Sequence, residues 1–449
     1  MISQTIILGL FLAGVQAQQA GTLDPENHPR LTWQNCASGS CTNTNAEVVI
    51  DSNWRWLHTV QGSEGCYEGN QWTGVCTTAQ ECAQECALEG ANYQATYGAS
   101  TSGDALTLKF VTQHQYGKNV GSRFYLMNGP DKYQMFNLLG NEFAFDVDLS
   151  TVACGINSAL YFVAMEEDGG VSSQPDNSAG AKYGTGYCDS QCARDLKFVG
   201  GKANVEGWES SASDPNSGVG PFGACCAEID VWESNRHSFA LTPHPCENNE
   251  YHVCETTGCG GTYSEDRFAG GCDANGCDYN PYRMGNTDFY GAGKVVDTTR
   301  KFTVVTRFQE NKMSQYFIQD GKTIEIPGPT DKAISDTAEI TPEYCTNMHN
   351  VFNEFNRFEE VGGWPQLIQG LGLPMVLVMS IWNDHYANML WLDSTYPPEK
   401  AGQPGSARGD CPTDSGKPAE TEAQFPNAQV VWSNIRFGPI GSTYAGPPA

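Results

Sequence analysis

Glu228-Ile229-Asp230-Val231-Trp232-Glu233 places three carboxylates within six residues. A pair of carboxyl groups, one to attack or stabilise an anomeric carbon and one kept protonated for the departing oxygen, is what cleavage of a glycosidic bond needs. The run alternates acid and apolar residues as a strand does, so Glu228 and Asp230 share a face. In a regular strand Glu233 would point to the opposite face, with its Cα about 16 Å from that of Glu228. A bulge near Val231-Trp232 would restore the facing and shorten the span. In a chain with 52 acidic residues, the competing reading is three acids that fell together on a solvated strand.

A second group of residues bears on that choice. The chain has ten tryptophans, among them Trp54, Trp56, Trp382 and Trp391. A single Trp in an all-β protein is usually core. Trp54 and Trp56, however, are expected to share one strand face beside Asn53, Arg55 and His58, polar neighbours suited to a sugar-stacking platform. Indole rings match the apolar faces of glucose while their N–H edges stay free to hydrogen-bond.

The elements that must position these groups read as β-structure. Apolar and β-branched runs recur at residues 47–60, 105–112, 122–127, 141–149, 159–165, 302–308, 375–381 and 430–437, several with period two. Asp320-Gly321 between two such runs predicts a hairpin. Helical signals are few: residues 77–88, and a start at Thr341-Pro342, with Thr as cap and Pro in the first helical position. Long connections at 209–223, 246–286 and 397–416 are tied by cysteines and read as ordered functional loops. With no linker separating two cores and no internal repeat, one domain of two packed antiparallel sheets is expected.

Composition narrows the setting. Residues 1–17 hold an uncharged apolar run and end in Val15-Gln16-Ala17, which reads as a secretory signal peptide too short to span a membrane. Residues 18–449 then form the single catalytic domain, with no linker or carbohydrate-binding module, and localisation is extracellular. Eighteen cysteines in a secreted chain imply a disulfide framework. The spacing within 188–277 lacks the paired ligands zinc needs, so no metal and no cofactor are expected. A net charge of −27 disfavours nucleic acid as a partner and is indifferent to a neutral polymer. A monomer without membrane association is expected.

The block 227–235, together with Tyr187-Cys188-Asp189-Ser190-Gln191-Cys192 and Asn388-Met389-Leu390-Trp391-Leu392-Asp393-Ser394-Thr395-Tyr396-Pro397, resembles glycoside hydrolase family seven, and within it the reducing-end cellobiohydrolases. The resemblance runs from about Thr22 to Thr443. It implies a β-jelly-roll sandwich whose long loops form a substrate tunnel, and retaining hydrolysis of β-1,4-glucan to cellobiose. Cellulose chains and cello-oligosaccharides are the implied partners. Glu228 falls on the nucleophile, Glu233 on the acid/base and Asp230 on the carboxylate that orients the nucleophile. Retention implies Glu228 and Glu233 carboxyls about 5–5.5 Å apart. Trp54 and Trp56 match tunnel platforms, Arg123 a polar contact along the tunnel, and Trp382 and Trp391 the platforms at the scissile bond. Asn157, Tyr161, Asp189, Gln191 and His244 match side chains around the reaction centre. Arg267, Asp278, Tyr396 and Arg408 match the grip on the departing disaccharide.

The family's disulfides map onto Cys36–Cys41, Cys66–Cys86, Cys76–Cys82, Cys154–Cys411, Cys188–Cys226, Cys192–Cys225, Cys246–Cys272, Cys254–Cys259 and Cys277–Cys345. A further bridge found in some members is replaced by Gly21 and Ala87, which leaves the N-terminal segment looser. Asn383 and His385 replace the family's Asp and Tyr beside Trp382. Three other functions compete: an endo-β-1,4-glucanase of the same family, a laminarinase-type glucanase, and a non-catalytic lectin. Long loops at 209–223, 258–272 and 397–408 favour the tunnel enzyme over the first, the additional blocks exclude the second, and the carboxylate trio disfavours the third.

Overall fold

The computed structural model describes residues 18–447 except 38, 175 and 445, so the expected signal segment 1–17 lies outside the described residues. The principal strands are β1 (Arg30–Ala37), β2 (Ser40–Ile50), β3 (Ser122–Met127), β4 (Asn141–Asp148), β5 (Ile156–Val163) and β6 (Glu228–Ser234). They continue with β7 (Phe239–His244), β8 (Phe302–Phe308), β9 (Met313–Gln319), β10 (Lys322–Glu325), β11 (Pro374–Asn383) and β12 (Gln429–Pro439). The hydrogen-bonded path runs β7-β6-β5-β11-β3-β2-β1-β12-β4-β8-β9-β10. The two antiparallel sheets expected are thus the two halves of one continuous path, joined through the β1–β2 hairpin, whose ends Cys36 and Cys41 are disulfide-linked. One join is parallel: β1 meets β12 at Gln34↔Arg436 and Asn35↔Phe437.

The halves pack face to face because alternate residues on each are apolar. Phe162 on β5 meets Phe143 on β4 edge-on at 5.0 Å between ring centroids. Trp232 on β6 lies 5.9 Å from both Phe302 on β8 and Phe317 on β9. The Asp320-Gly321 hairpin forms as expected between β9 and β10, with both turn residues at positive φ (53° and 72°). That conformation matches the twist of the strands and suits Asp and Gly.

Three helices matter to the loops: α1 (Ala79–Glu85), α2 (Pro342–Phe352) and α3 (Gly363–Leu371). Thr341 caps α2 by accepting from Tyr344 N. The expected helix over 77–88 is shorter, because after a Thr78/Glu81 capping box and two turns the chain pairs as a strand from Cys86 to Leu88. All nine disulfides implied by the resemblance are present.

Two expectations fail for local reasons. Trp54 and Trp56 do not share a strand face, because β2 ends at Ile50 and Ser52–Trp54 is a 3-10 turn. Asp51 nucleates that turn by accepting from Asn53 N at 2.6 Å, a side-chain bond that competes with strand pairing. Arg55 then turns inward to Glu26 (2.5 Å), and the strand resumes only at Leu57. Nor is the N-terminal segment loose. Gln19–Ala20 pairs in parallel with Ala87–Leu88, and Leu23 N and Asp24 N donate to the Glu89 carboxylate at 3.0 and 3.1 Å.

Candidate active site

The register of the first half-sheet determines what shares its outer face. β5 pairs with β11 at Asn157↔Trp382, Ala159↔Ser380 and Tyr161↔Val378, and β3 pairs with β11 at Arg123↔Ser380. On the other side β5 pairs with β6 at Ala159↔Glu233, and β6 with β7 at Glu233↔Ala240, Asp230↔Thr242 and Glu228↔His244. A row of chemistry-bearing side chains therefore crosses the strands from Arg123 through Trp382, Asn157 and Glu233 to His244.

The expected bulge is present. Three steps along β6 match two along each neighbour, from Ile229 to Trp232 against β5 and from Asp230 to Glu233 against β7. The extra residue lets both Val231 and Trp232 face the core, where each is fully buried. Trp232 stacks on Phe239 at 5.0 Å, and Gln315 Nε2 donates to Val231 O at 2.7 Å. Burying two consecutive residues returns Glu233 to the face of Glu228 and Asp230.

Adjacent half-cystines fix the start of β6. Cys225 and Cys226 tie to Cys192 and Cys188, which lays residues 188–192 beside Glu228. Ser190 donates to Glu228 Oε2 from both its backbone N (3.1 Å) and its Oγ (2.7 Å). Burial, with the charge of Glu228, lifts the neighbouring Asp189 carboxyl. Burial and the same charge, reinforced by hydrogen bonding to Glu228, hold Asp230 well above the usual carboxylate range. Its Oδ2 lies 2.9 Å from His244 Nε2, while His244 Nδ1 faces the Asp273 carbonyl at 2.8 Å. A carbonyl only accepts, so Nδ1 carries a proton. Gly276 makes this packing possible, since a Cβ there would lie 2.7 Å from His244 Cε1.

Glu233 is the carboxyl most suited to hold a proton. Burial raises it most, and the charges of Asp230 and Glu228 raise it further, against His244 and the Asn157 Nδ2 donor at 3.0 Å. The mutual repulsion of these buried carboxylates disfavours ionising all three together. The trio thus combines an acceptor of two hydrogen bonds at Glu228 with carboxyls at Asp230 and Glu233 that burial and neighbouring charge bias toward the protonated form, the division of labour glycoside hydrolysis uses.

The remaining expected residues fall into three groups. Trp382 and Trp391 stack 6.3 Å apart beside Asn157, with Trp391 Nε1 donating to Asp384 Oδ2 at 3.0 Å. Tyr161 OH meets Tyr187 OH at 3.1 Å, and the Arg123 guanidinium lies over Tyr187 and 5.3 Å from the Trp54 ring. Trp56, 41 % exposed, stands beyond them on the His58 ring. At the far end Arg267 Nη2 and Gln191 Nε2 both donate to Ala274 O at 2.7 Å. Arg408 lies 3.6 Å from Asp278 and 3.7 Å from Glu354, and burial together with Arg283 brings its guanidinium down to about 10. Arg408 Nε has no acceptor among the described residues. Tyr396 is held to the same loop through Tyr396 N to Ser406 O at 2.9 Å.

Sequence reasoning missed several side chains. Ser190 lay inside the recognised 187–192 block and could have been singled out as a donor. Arg283, ion-paired to Asp278 and Glu354, and Asp384, which accepts from Tyr386 N, Ala387 N and Met389 N, carry no local signal. Lys197 is also unannounced: half-buried, it donates to Asn53 O at 2.7 Å, and desolvation brings its ammonium down to about 8.

Two contacts join the segment after β11 to other loops. Residues 209–219 approach from the Glu228 end of β6, since they lead into the Phe222–Cys225 strand. Residues 384–391 follow the end of β11, which lies beside Ser158 and hence the Ser234 end of β6. His385 Nδ1 meets Ser213 O at 2.9 Å, and Tyr386 packs edge-on against Tyr263 at 5.4 Å.

Residues 20–444 match the family model described as glycosyl hydrolase family 7. The structure is similar to that of a cellobiohydrolase from Melanocarpus albomyces complexed with cellotetraose: 76 % identity, 95 % of this chain and 100 % of the other covered, TM-score 0.94. It is also similar to a family 7 cellobiohydrolase from Daphnia pulex (44 % identity, 95 % and 100 % covered, TM-score 0.92). A Humicola insolens endocellulase, EGI, matches at 34 % identity, with 95 % and 100 % covered and a TM-score of 0.80. With the family model spanning nearly the whole described chain, this protein belongs to glycosyl hydrolase family 7.

Proposed function

We propose that the chain is a secreted cellobiohydrolase that hydrolyses β-1,4-glucan with retention and releases cellobiose from reducing ends. The observation that carries the reading is the bulge in β6, which turns Glu233 to the face occupied by Glu228 and Asp230. Glu228 attacks the anomeric carbon as the glycosidic C–O bond breaks, and Glu233 gives its proton to the leaving oxygen. Water then loses a proton to the Glu233 carboxylate and displaces Glu228 from the glycosyl-enzyme, restoring both groups. Asp230, in contact with His244, orients Glu228 and moderates its charge.

Exo action is supported by the higher identity to the two cellobiohydrolases than to the endocellulase. It is supported too by the contacts His385–Ser213 and Tyr386–Tyr263, which roof the groove into a tunnel in this reading. A glucan chain would enter over Trp56 and Trp54, pass Arg123, stack on Trp382 and Trp391 at the cut, and leave its end disaccharide among Arg267, Asp278, Tyr396 and Arg408. Adjacent glucoses in cellulose are flipped, so every second linkage presents its oxygen to Glu233. Secretion is supported by nine disulfides; no helix among the described residues is long and apolar enough to cross a membrane.

The test is product analysis on crystalline cellulose beside viscosity of carboxymethyl cellulose. Mainly cellobiose with slow viscosity loss is expected. A broad oligosaccharide ladder with rapid viscosity loss would assign an endoglucanase instead.

A further inference from the structure

His385 connects two loops that approach the groove from opposite ends of the catalytic strand. Its Nδ1 meets Ser213 O at 2.9 Å, and since a carbonyl only accepts, that nitrogen is the donor. Its Nε2 lies 3.9 Å from Asp214 Oδ2, with both side chains partly exposed (15 % and 19 %), a pair that contributes little by itself.

The partner loop, residues 209–219, is anchored from behind as well. Asn70, in the turn of the Tyr67–Trp72 hairpin, donates from Nδ2 to Ser211 O at 3.0 Å and to Asp214 O at 3.2 Å. Trp208 Nε1 donates back to Asn70 O at 3.0 Å, and Tyr67 OH reaches Asn216 O at 3.4 Å. The loop is therefore gripped on its outer side by a rigid aromatic hairpin. Among the described residues, the hydrogen bond that joins it to the segment after β11 is that of His385.

We propose that His385 is a specificity-determining positioning residue. Its Nδ1–H bond to Ser213 O latches loop 209–219 shut over the bound chain and sets how rarely the enzyme enters a glucan at an internal bond. This rests on the tunnel reading above. Its place in the groove makes the effect selective. Among the described residues His385 makes no hydrogen bond or ion pair with the three carboxylates, Arg267 or Arg408, so opening the latch changes chain entry and retention but leaves bond cleavage intact. Rupture of one partly exposed hydrogen bond shifts the open-to-closed ratio by about fivefold.

The test compares wild type with His385→Ala, His385→Asn and Asn70→Ala. The Asn amide nitrogen falls near the position of Nδ1 and can keep the Ser213 bond. Three readouts are taken: viscosity of carboxymethyl cellulose, the ratio of soluble to insoluble reducing ends released from cellulose, and kcat and KM on an aryl lactoside short enough to avoid the roof. His385→Ala is expected to speed viscosity loss by about fivefold and to lower the soluble-to-insoluble ratio, with kcat on the aryl lactoside unchanged. His385→Asn should restore most of the wild-type ratio, and Asn70→Ala should act in the same direction as His385→Ala. Wild-type viscosity and ratio in His385→Ala, or equal loss in the Ala and Asn variants, would overturn the latch. Fast viscosity loss by the wild type itself would instead overturn the tunnel reading on which it rests.

Discussion

His244 Nε2 lies 2.9 Å from Asp230 Oδ2 while its other ring nitrogen is committed to the Asp273 carbonyl. The imidazole is thus oriented toward the middle carboxyl of the trio. Replacing His244 by Gln should weaken one buried hydrogen bond to Asp230, about 0.5–1.5 kcal/mol, felt mainly as the transition state forms. A fall in kcat of about 2–10-fold with nearly unchanged cello-oligosaccharide affinity is expected from steady-state kinetics and calorimetry. Affinity lost in step with kcat would mean that His244 binds substrate and does not tune the carboxylates.

Glu228 and Glu233 should separate cleanly by chemistry. Glu228→Gln retains shape but cannot attack, so turnover should drop below about a thousandth of wild type with binding largely intact. Glu233→Gln should lose most activity on cellulose yet cleave aryl glycosides with acidic leaving groups, which depart without protonation. Equal losses on both substrates for Glu233→Gln would remove it from the acid's role.

Much of this constellation was legible beforehand. The acidic spacing in 228–233 could work only with an extra residue in the strand, and the consecutive apolar pair Val231-Trp232 showed where it would go. The Asp320-Gly321 turn was equally plain, because only a few residues tolerate positive φ. What escaped was set by tertiary contacts or by caps that alternation does not register. Trp54 and Trp56 looked like neighbours on a strand until Asp51 folded the chain into a turn. Helix α3 opens on Gly362-Gly363 with no side-chain cap, so nothing announced its start. Arg283 and Glu354 gather around Asp278 from distant segments.

Trp232 holds the bulge from below, fully buried among Phe145, Phe239, Phe302 and Phe317. Trp232→Ala should cost about 3–5 kcal/mol in denaturant unfolding. It should also lower activity per folded molecule, because the cavity frees the segment that carries Glu233. Full specific activity in the folded fraction would show that the bulge is maintained without Trp232.

Asp393 offers a pH test away from the reacting atoms. Its Oδ2 accepts from Gly155 N (2.9 Å) and Asn235 Nδ2 (2.7 Å), its Oδ1 is buried without a partner among the described residues, and burial lifts the carboxyl to about 7. Between the ordinary carboxylate value near 4 and that raised value, the folded protein holds a proton the unfolded chain has lost. Stability therefore falls as pH rises through this window, by at most about 1.4 kcal/mol per pH unit for one group. Asp189, Asp230 and Glu233, all raised, act in the same direction. Melting temperatures from pH 4 to 8 should decline in the wild type and decline less in Asp393→Asn. Parallel profiles would place the Asp393 carboxyl in contact with solvent.

The account stands most directly on the stereochemistry of the cut. If Glu228 and Glu233 face each other across one anomeric carbon with no room for water at the first step, the sugar is inverted twice and its configuration is kept. Proton NMR of a cello-oligosaccharide digest, recorded within minutes and before mutarotation, reports the anomer first released. The β-anomer of cellobiose appearing first is the expected result; the α-anomer first would mean a single displacement by water and would contradict the assignment of Glu228 as nucleophile.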